Sequence, residues 1–161
     1  MKRTIISCLA MLIAVGATHG RAGAVEGWGP RVGMTVDPDQ VHVGAHMSLG
    51  YAFDRFRLQP NVELGVGDDM TIMNVNGDLA YLFNVDNDSW RPFLGGGVGL
   101  YAIDRQGRRG RDGDSDLEAG LHMIGGIEYA LSGGNRFAAE VKLGLVDEPD
   151  MKWTAAWTFG R

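Results

Sequence analysis

Residues 41–53 read Val41-His42-Val43-Gly44-Ala45-His46-Met47-Ser48-Leu49-Gly50-Tyr51-Ala52-Phe53. Every odd position is apolar, and most even ones are small or polar. Thirteen residues of strict alternation are the mark of a strand with two unlike faces. No 3.6-residue period fits them. The same period of two recurs along the chain from Gly27 to Arg161.

One further segment precedes this stretch. Trp28, Pro30, Val32, Met34 and Val36 alternate with Gly29, Arg31, Gly33 and Thr35, and the turn Asp37-Pro38-Asp39-Gln40 follows. Six segments come after it. The third sets Phe56, Leu58, Pro60, Val62, Leu64 and Val66 against Arg57, Gln59, Asn61, Glu63 and Gly65. The fourth sets Met73, Val75, Gly77, Leu79, Tyr81 and Phe83 against Asn74, Asn76 and Asp78. Asn76-Gly77 is a hairpin signal, but the parity runs through it unbroken, so one continuous strand is expected. The fifth has Pro92, Leu94, Val98 and Leu100 on one face and Arg91, Phe93, Gly95, Gly97 and Gly99 on the other. A polar loop is expected from Asp104 to Ser115. The sixth carries Leu117, Leu121, Met123, Ile127 and Tyr129 opposite Glu118, Gly120, His122 and Glu128. The seventh carries Phe137, Ala139, Val141 and Leu143 opposite Arg136, Glu140 and Lys142, and the eighth Met151, Trp153, Trp157 and Phe159 opposite Lys152, Thr154 and Thr158. Eight segments of about nine residues or more match the 9–11 residues of a tilted membrane-crossing strand, and the even count suits a closed bacterial barrel.

Composition agrees. Of 161 residues 25 are Gly and 45% are hydrophobic, with one Cys. That much Gly argues against a helical bundle, and that apolar fraction argues against disorder. The N-terminus has Lys2 and Arg3, an apolar run from Thr4 to Ala17 and a small-residue site ending at Ala24. This is the pattern of a secretory signal peptide. The expected division is therefore 1–24 as signal peptide and 25–161 as barrel domain. Cys8 would leave with the signal. Cleavage would also remove Lys2, Arg3 and Arg21, leaving 12 basic residues against 20 acidic ones. Nucleic acid is not an expected partner of such a chain.

Alternation alone does not say which face is outside. A soluble lipocalin-like barrel would turn the apolar face inward around an apolar ligand. Three features favour lipid outside. Glycines concentrate on the polar face, where an eight-stranded interior is only wide enough for side chains to fill. Aromatics gather near strand ends on the apolar face, as interfacial girdles do. The longest loop lies on the rim opposite the termini. The architecture expected is all-β, an eight-stranded antiparallel up-and-down transmembrane β-barrel.

Arg91-Pro92-Phe93-Leu94-Gly95-Gly96-Gly97-Val98-Gly99 and the final aromatic strand resemble the small eight-stranded outer-membrane barrel family, of the OmpA transmembrane, OmpX and opacity-protein type. The resemblance spans residues 28–161. It implies export to the bacterial outer membrane, a monomer, and contact with outer-membrane lipid and lipopolysaccharide. It also implies recognition by the barrel-assembly machinery through Trp157 and Phe159. Thr154, where glycine is common, and Gly160-Arg161 after the last aromatic depart from the pattern.

The expected lumen network is Arg31, Arg57, Glu63, Asp78, Arg91, Glu118, Glu128, Arg136, Glu140 and Lys142. Near-balanced charges in a narrow space point to a paired plug, since unpaired buried charge is costly. Arg105, Arg108, Arg109 and Arg111 form a basic cluster suited to lipopolysaccharide phosphates. Asp112, Asp114 and Asp116 resemble the start of a calcium loop but lack its later residues. His42 and His46 are about 13 Å apart by strand rise, too far to share a metal. His46 and Ser48 are same-face neighbours, which leaves an enzyme acting on lipid A as the alternative. No catalytic residue, metal or cofactor is expected. The role expected is structural or surface-interacting: envelope integrity, adhesion or lipopolysaccharide contact.

Overall fold

The computed structural model describes residues 25–67, 70–85, 89–105 and 114–160. The expected signal peptide lies outside them, as do Arg108, Arg109, Arg111 and Asp112.

Among the described residues nine strands form one sheet: β1 (Gly27–Val36), β2 (Gln40–Ser48), β3 (Tyr51–Phe53), β4 (Phe56–Val66), β5 (Met70–Leu82), β6 (Trp90–Arg105), β7 (Asp114–Ala130), β8 (Arg136–Val146) and β9 (Met151–Gly160). Apart from β2 and β3, neighbours in sequence pair antiparallel, β1 pairs with β9, and β2 pairs with β4. The sheet therefore closes on itself. β2 and β3 are two parts of one stave, because both lie along β4. Between them Gly50 takes φ +71°, a left-handed conformation that glycine adopts without penalty. Hydrogen bonds from Leu49 N to Leu58 O (3.0 Å) and from Leu58 N to Gly50 O (3.2 Å) carry the pairing through the irregularity. The result is an eight-stave antiparallel barrel. Both termini and the β3–β4, β5–β6 and β7–β8 connections share one rim.

The alternating faces lie as the lipid-facing reading requires. Along β1 the apolar set Trp28, Val32, Met34 and Val36 is exposed, while Arg31 is 2% exposed. Val43, Leu64, Leu94, Val98, Leu121, Ile127 and Leu145 are likewise exposed on the outside. Such a surface is stable against hydrocarbon and unfavourable against water. Among the described residues the inside holds mainly polar groups, unlike the apolar chamber of a lipocalin. Two apolar patches interrupt it. Ala80, Leu82, Phe93, Ile124, Ala138 and Ala156 make one, and Ile72, Tyr101 and Ile103 with Met70 make the other.

One expectation holds and another changes. Asn76-Gly77 is mid-strand, as parity required, and Asn76 faces Asn61 and Gly99. The loop expected at 104–115 is shorter, because Asp104 pairs with Ser115 and Arg105 with Asp114. Where β6 and β7 run past the apolar band, both faces meet water. The hydrophobic alternation then fades although the ladder continues.

The aromatic residues are also less symmetrically placed than a pair of girdles. Trp28–Phe159, Phe53–Phe56, Phe56–Tyr81, Tyr81–Phe83, Trp90–Tyr129 and Phe137–Trp157 all pack ring to ring, with centroids 4.8–6.3 Å apart. Every one of these pairs is at the rim that carries the termini. Near the opposite rim the exposed apolar residues are mainly aliphatic, with Trp153 among them.

Val98 sits mid-strand on the outside and is 58% exposed. Val98→Arg in lipid vesicles should lower the unfolding free energy by about 2–4 kcal/mol, the cost of a cation on the lipid face. Denaturant titration checks this. A change within about 0.5 kcal/mol, the usual result for a water-exposed site, would contradict lipid contact.

Candidate functional site

The candidate site is the lumen. Its geometry starts from strand spacing. Adjacent strands lie about 4.8 Å apart, so side chains two staves apart begin nearly twice that far from each other. They meet only if the stave between them presents no side chain. Glycine supplies that gap at several places.

Arg31 on β1 and Glu63 on β4 both face Gly44 on β2. Over that glycine Arg31 Nε comes 2.8 Å from Glu63 Oε1. Asp78 on β5 and His122 on β7 both face Gly97 on β6. Over it His122 Nε2 lies 2.6 Å from Asp78 Oδ1. A Cβ at Gly97 would stand 2.5 Å from both of those atoms. His42 on β2 and Thr154 on β9 both face Gly33 on β1, and their Nε2 and Oγ1 are 3.1 Å apart.

These bridges join into a network. The Arg31 guanidinium also contacts Glu140 on β8, and Lys152 Nζ on β9 donates to Glu63 Oε2. Asp78 receives Lys142 Nζ at 2.8 Å and Asn61 Nδ2 at 2.8 Å. Asn76 Nδ2 donates to Asn61 Oδ1 at 2.8 Å, and the Tyr101 hydroxyl to Asn76 Oδ1 at 3.4 Å. The second ring nitrogen of His122, Nδ1, is 2.7 Å from Glu148 Oε1 in the β8–β9 connection. One ring thus ties β5, β7 and a rim turn together. Arg31, Glu63, Asp78, Glu140, Lys142 and Lys152 are each at most 3% exposed. Buried charges of this kind are stable only when paired, and here each acid touches at least one base.

A second group lies nearer the termini. Arg57 Nη1 is 2.6 Å from Glu128 Oε2, and Arg136 Nε is 3.7 Å from the same oxygen. Of the ten network residues expected, eight therefore enter two buried or half-buried sets. Arg91 does not. It is exposed at the rim, second in β6 after Trp90, and its guanidinium is 3.5 Å from the Tyr51 hydroxyl. Glu118 is half-buried toward the other end and joins none of these pairs. Both sit beyond the narrow part of the barrel, where facing inward no longer means being enclosed.

Glu148 was hidden because Asp147-Glu148-Pro149-Asp150 reads as a turn. Tyr101, Asn61 and Thr154 were hidden because uncharged lumen residues carry no distinguishing signal. The His46–Ser48 pairing is not assembled. His46 Nε2 bonds to Thr158 Oγ1 at 2.8 Å, while Ser48 Oγ and His46 Nδ1 have no partner. Among the described residues no cluster of His, Cys, Asp and Glu could hold a metal ion. Trp157 and Phe159 are on the outside, packed on Phe137 and Trp28. The backbone of Arg105 ends β6 beside Asp114.

An apolar exterior, a charged and paired lumen and eight antiparallel staves define the fold of the small outer-membrane barrels. Similar solved structures include the following two. Neisserial surface protein A superposes with a TM-score of 0.65 at 11% identity, over 84% of this chain and 95% of that one. The N-terminal β-barrel domain of Pseudomonas aeruginosa OprF superposes with a TM-score of 0.63 at 12% identity, over 83% of this chain and 95% of that one. At such identities the shared property is the fold. No protein-family model matches the chain, and no curated protein does.

Gly97→Val should destabilise the barrel by at least the 1–3 kcal/mol typical of overpacking, since it separates Asp78 from His122. Gly77→Val is the control. Gly77 faces outward with nothing within 4 Å of an added Cβ, so stability should hold or rise slightly. Urea titrations of both refolded variants, read by heat-modifiable gel migration, make the comparison.

Proposed function

We propose that this chain is a monomeric bacterial outer-membrane barrel with a structural or surface-interaction role. The observation that carries this is a lumen filled by paired charges inside an apolar shell. An open solute channel needs a water-filled bore, and eight-stranded barrels leave room only for side chains. Here that room holds Arg31 against Glu63 and Glu140, and Lys152 against Glu63. What differs between such proteins is then the rims, which face the two sides of the envelope. The similarity to a protein named as a Neisserial surface protein supports the same reading.

The external rim is the one opposite the termini. Arg105 ends β6 toward that rim, and Arg108, Arg109 and Arg111 follow it in sequence. Their role in this reading is to bind lipopolysaccharide phosphates, for which guanidinium forks are well matched. Export through the signal peptide at 1–24 and insertion through the Trp157/Phe159 strand complete the proposal. No enzymatic step belongs to it, and the unassembled His46–Ser48 pair supports that view.

Cell fractionation tests the location. The protein should sediment with outer membrane, require detergent for extraction, and migrate differently before and after boiling. Recovery in the soluble periplasmic fraction would overturn the reading. Reversing the four arginines to glutamate should reduce lipopolysaccharide co-purification severalfold without altering gel migration. Equal retention would remove the lipopolysaccharide role and leave the barrel assignment standing.

A further inference from the structure

We propose that the rim carrying both termini holds a binding site for a phosphate-type oxyanion, free or borne on a lipid headgroup. The site is a cavity of about 230 Å³ whose walls include Arg91, Glu128, Asn135 and Arg136. It rests on the closed barrel, not on the role given to the opposite rim.

The argument is one of donors and acceptors. Two guanidinium groups approach a single carboxylate, and a third arginine lines the cavity beside it. Arg57 Nη1 is 2.6 Å from Glu128 Oε2, the distance of a hydrogen-bonded ion pair. Arg136 Nε stands 3.7 Å from that oxygen, beyond hydrogen-bond reach. Arg91 is the cross-strand neighbour of Glu128, and its guanidinium is directed to the Tyr51 hydroxyl at 3.5 Å. Arg136 Nε and Nη2 are buried and have no hydrogen-bond partner, and the same holds for Arg57 Nε. A buried donor without an acceptor is unfavourable, and more so when it is charged. The cavity beside Arg136 is where an acceptor fits. An oxyanion with several oxygens matches a planar guanidinium through two parallel bonds, with a second arginine at the cavity wall. Asn135 lines the same cavity, and its side-chain amide is a neutral donor.

The test uses the full barrel refolded in a phosphate-free maltoside detergent, with nitrogen-15 NMR of side-chain groups and inorganic phosphate as the probe. The Arg136 Nε–H and Asn135 amide resonances should shift along one saturable curve. Arg136→Gln, read at the Asn135 amide, should weaken binding at least tenfold. Arg91→Gln, at an exposed position that keeps the fold, should weaken it severalfold. Arg55→Gln, in the β3–β4 connection and outside the cavity, should leave it unchanged. The same spectra in phosphatidylglycerol nanodiscs separate the sources. A shifted Arg136 resonance before any phosphate is added means that a lipid headgroup fills the site. A shift that appears only on addition means a soluble anion. Absence of a saturable shift in both media would overturn the proposal. So would equal weakening by Arg55→Gln, which would mark a general effect of charge.

Discussion

The ion pair between Arg31 and Glu63 sets the terms for the rest of the barrel. Neither side chain has access to water. Each charge must therefore be answered by another group of the protein, and the answers come from different strands. Glu140 on β8 meets Arg31, and Lys152 on β9 meets Glu63. Removing one partner from such a set typically costs about 3–5 kcal/mol, because the survivor stays buried and unpaired. The pairing of β1 with β2 and β9, and of β2 with β4, is thus coupled to chemistry at the centre of the lumen.

Glycine is what makes the coupling geometrically available. In a sheet the nearest cross-strand partner is the adjacent stave. A pair that skips a stave needs the intervening residue to be absent as a side chain, and Gly44, Gly97 and Gly33 each stand at such a crossing. The abundance of Gly on the polar face is therefore more than a response to a narrow bore. It marks where charges reach over a strand. Gly97 shows the constraint most sharply, since Asp78 and His122 occupy the space its Cβ would need.

Much of the fold was legible because lipid and lumen demand opposite residue types at alternating positions. The 41–53 stretch shows this, and so does the unbroken parity through Asn76-Gly77. The signal failed where that demand lapses. Beyond the apolar band Asp104 and Asp116 meet water, so the pairing there left no pattern. Gly50 interrupts a stave without disturbing parity, so the break between β2 and β3 was invisible. For the site, charge type showed which residues face inward, but partner choice depends on stave order around the closed sheet. That order brings Arg31 to Glu140 although 109 positions separate their residue numbers. Arg91 shows the reverse error. Its parity is inward, yet its height places it in the open mouth.

The charged lumen also bears on how a barrel with so apolar an exterior finds one arrangement. Because side chains alternate, slipping one strand by a single residue exchanges its two faces. For β1 that slip would turn Arg31 to the lipid and Trp28, Val32 and Met34 into the charged interior. A cation at the membrane midplane costs about 2–4 kcal/mol, and the same slip would take Arg31 from Glu140 and leave Glu63 with Lys152 alone. An interior built from apolar residues would impose no comparable penalty, since lipid and core would then accept the same side chains. The buried charges consequently specify register even where they add little net stability, which is the best-attested use of buried ion pairs. Two-residue slips preserve the faces and escape this penalty. They are opposed by the stave-skipping bridges instead, because Arg31 and Glu63 meet only when both stand opposite Gly44.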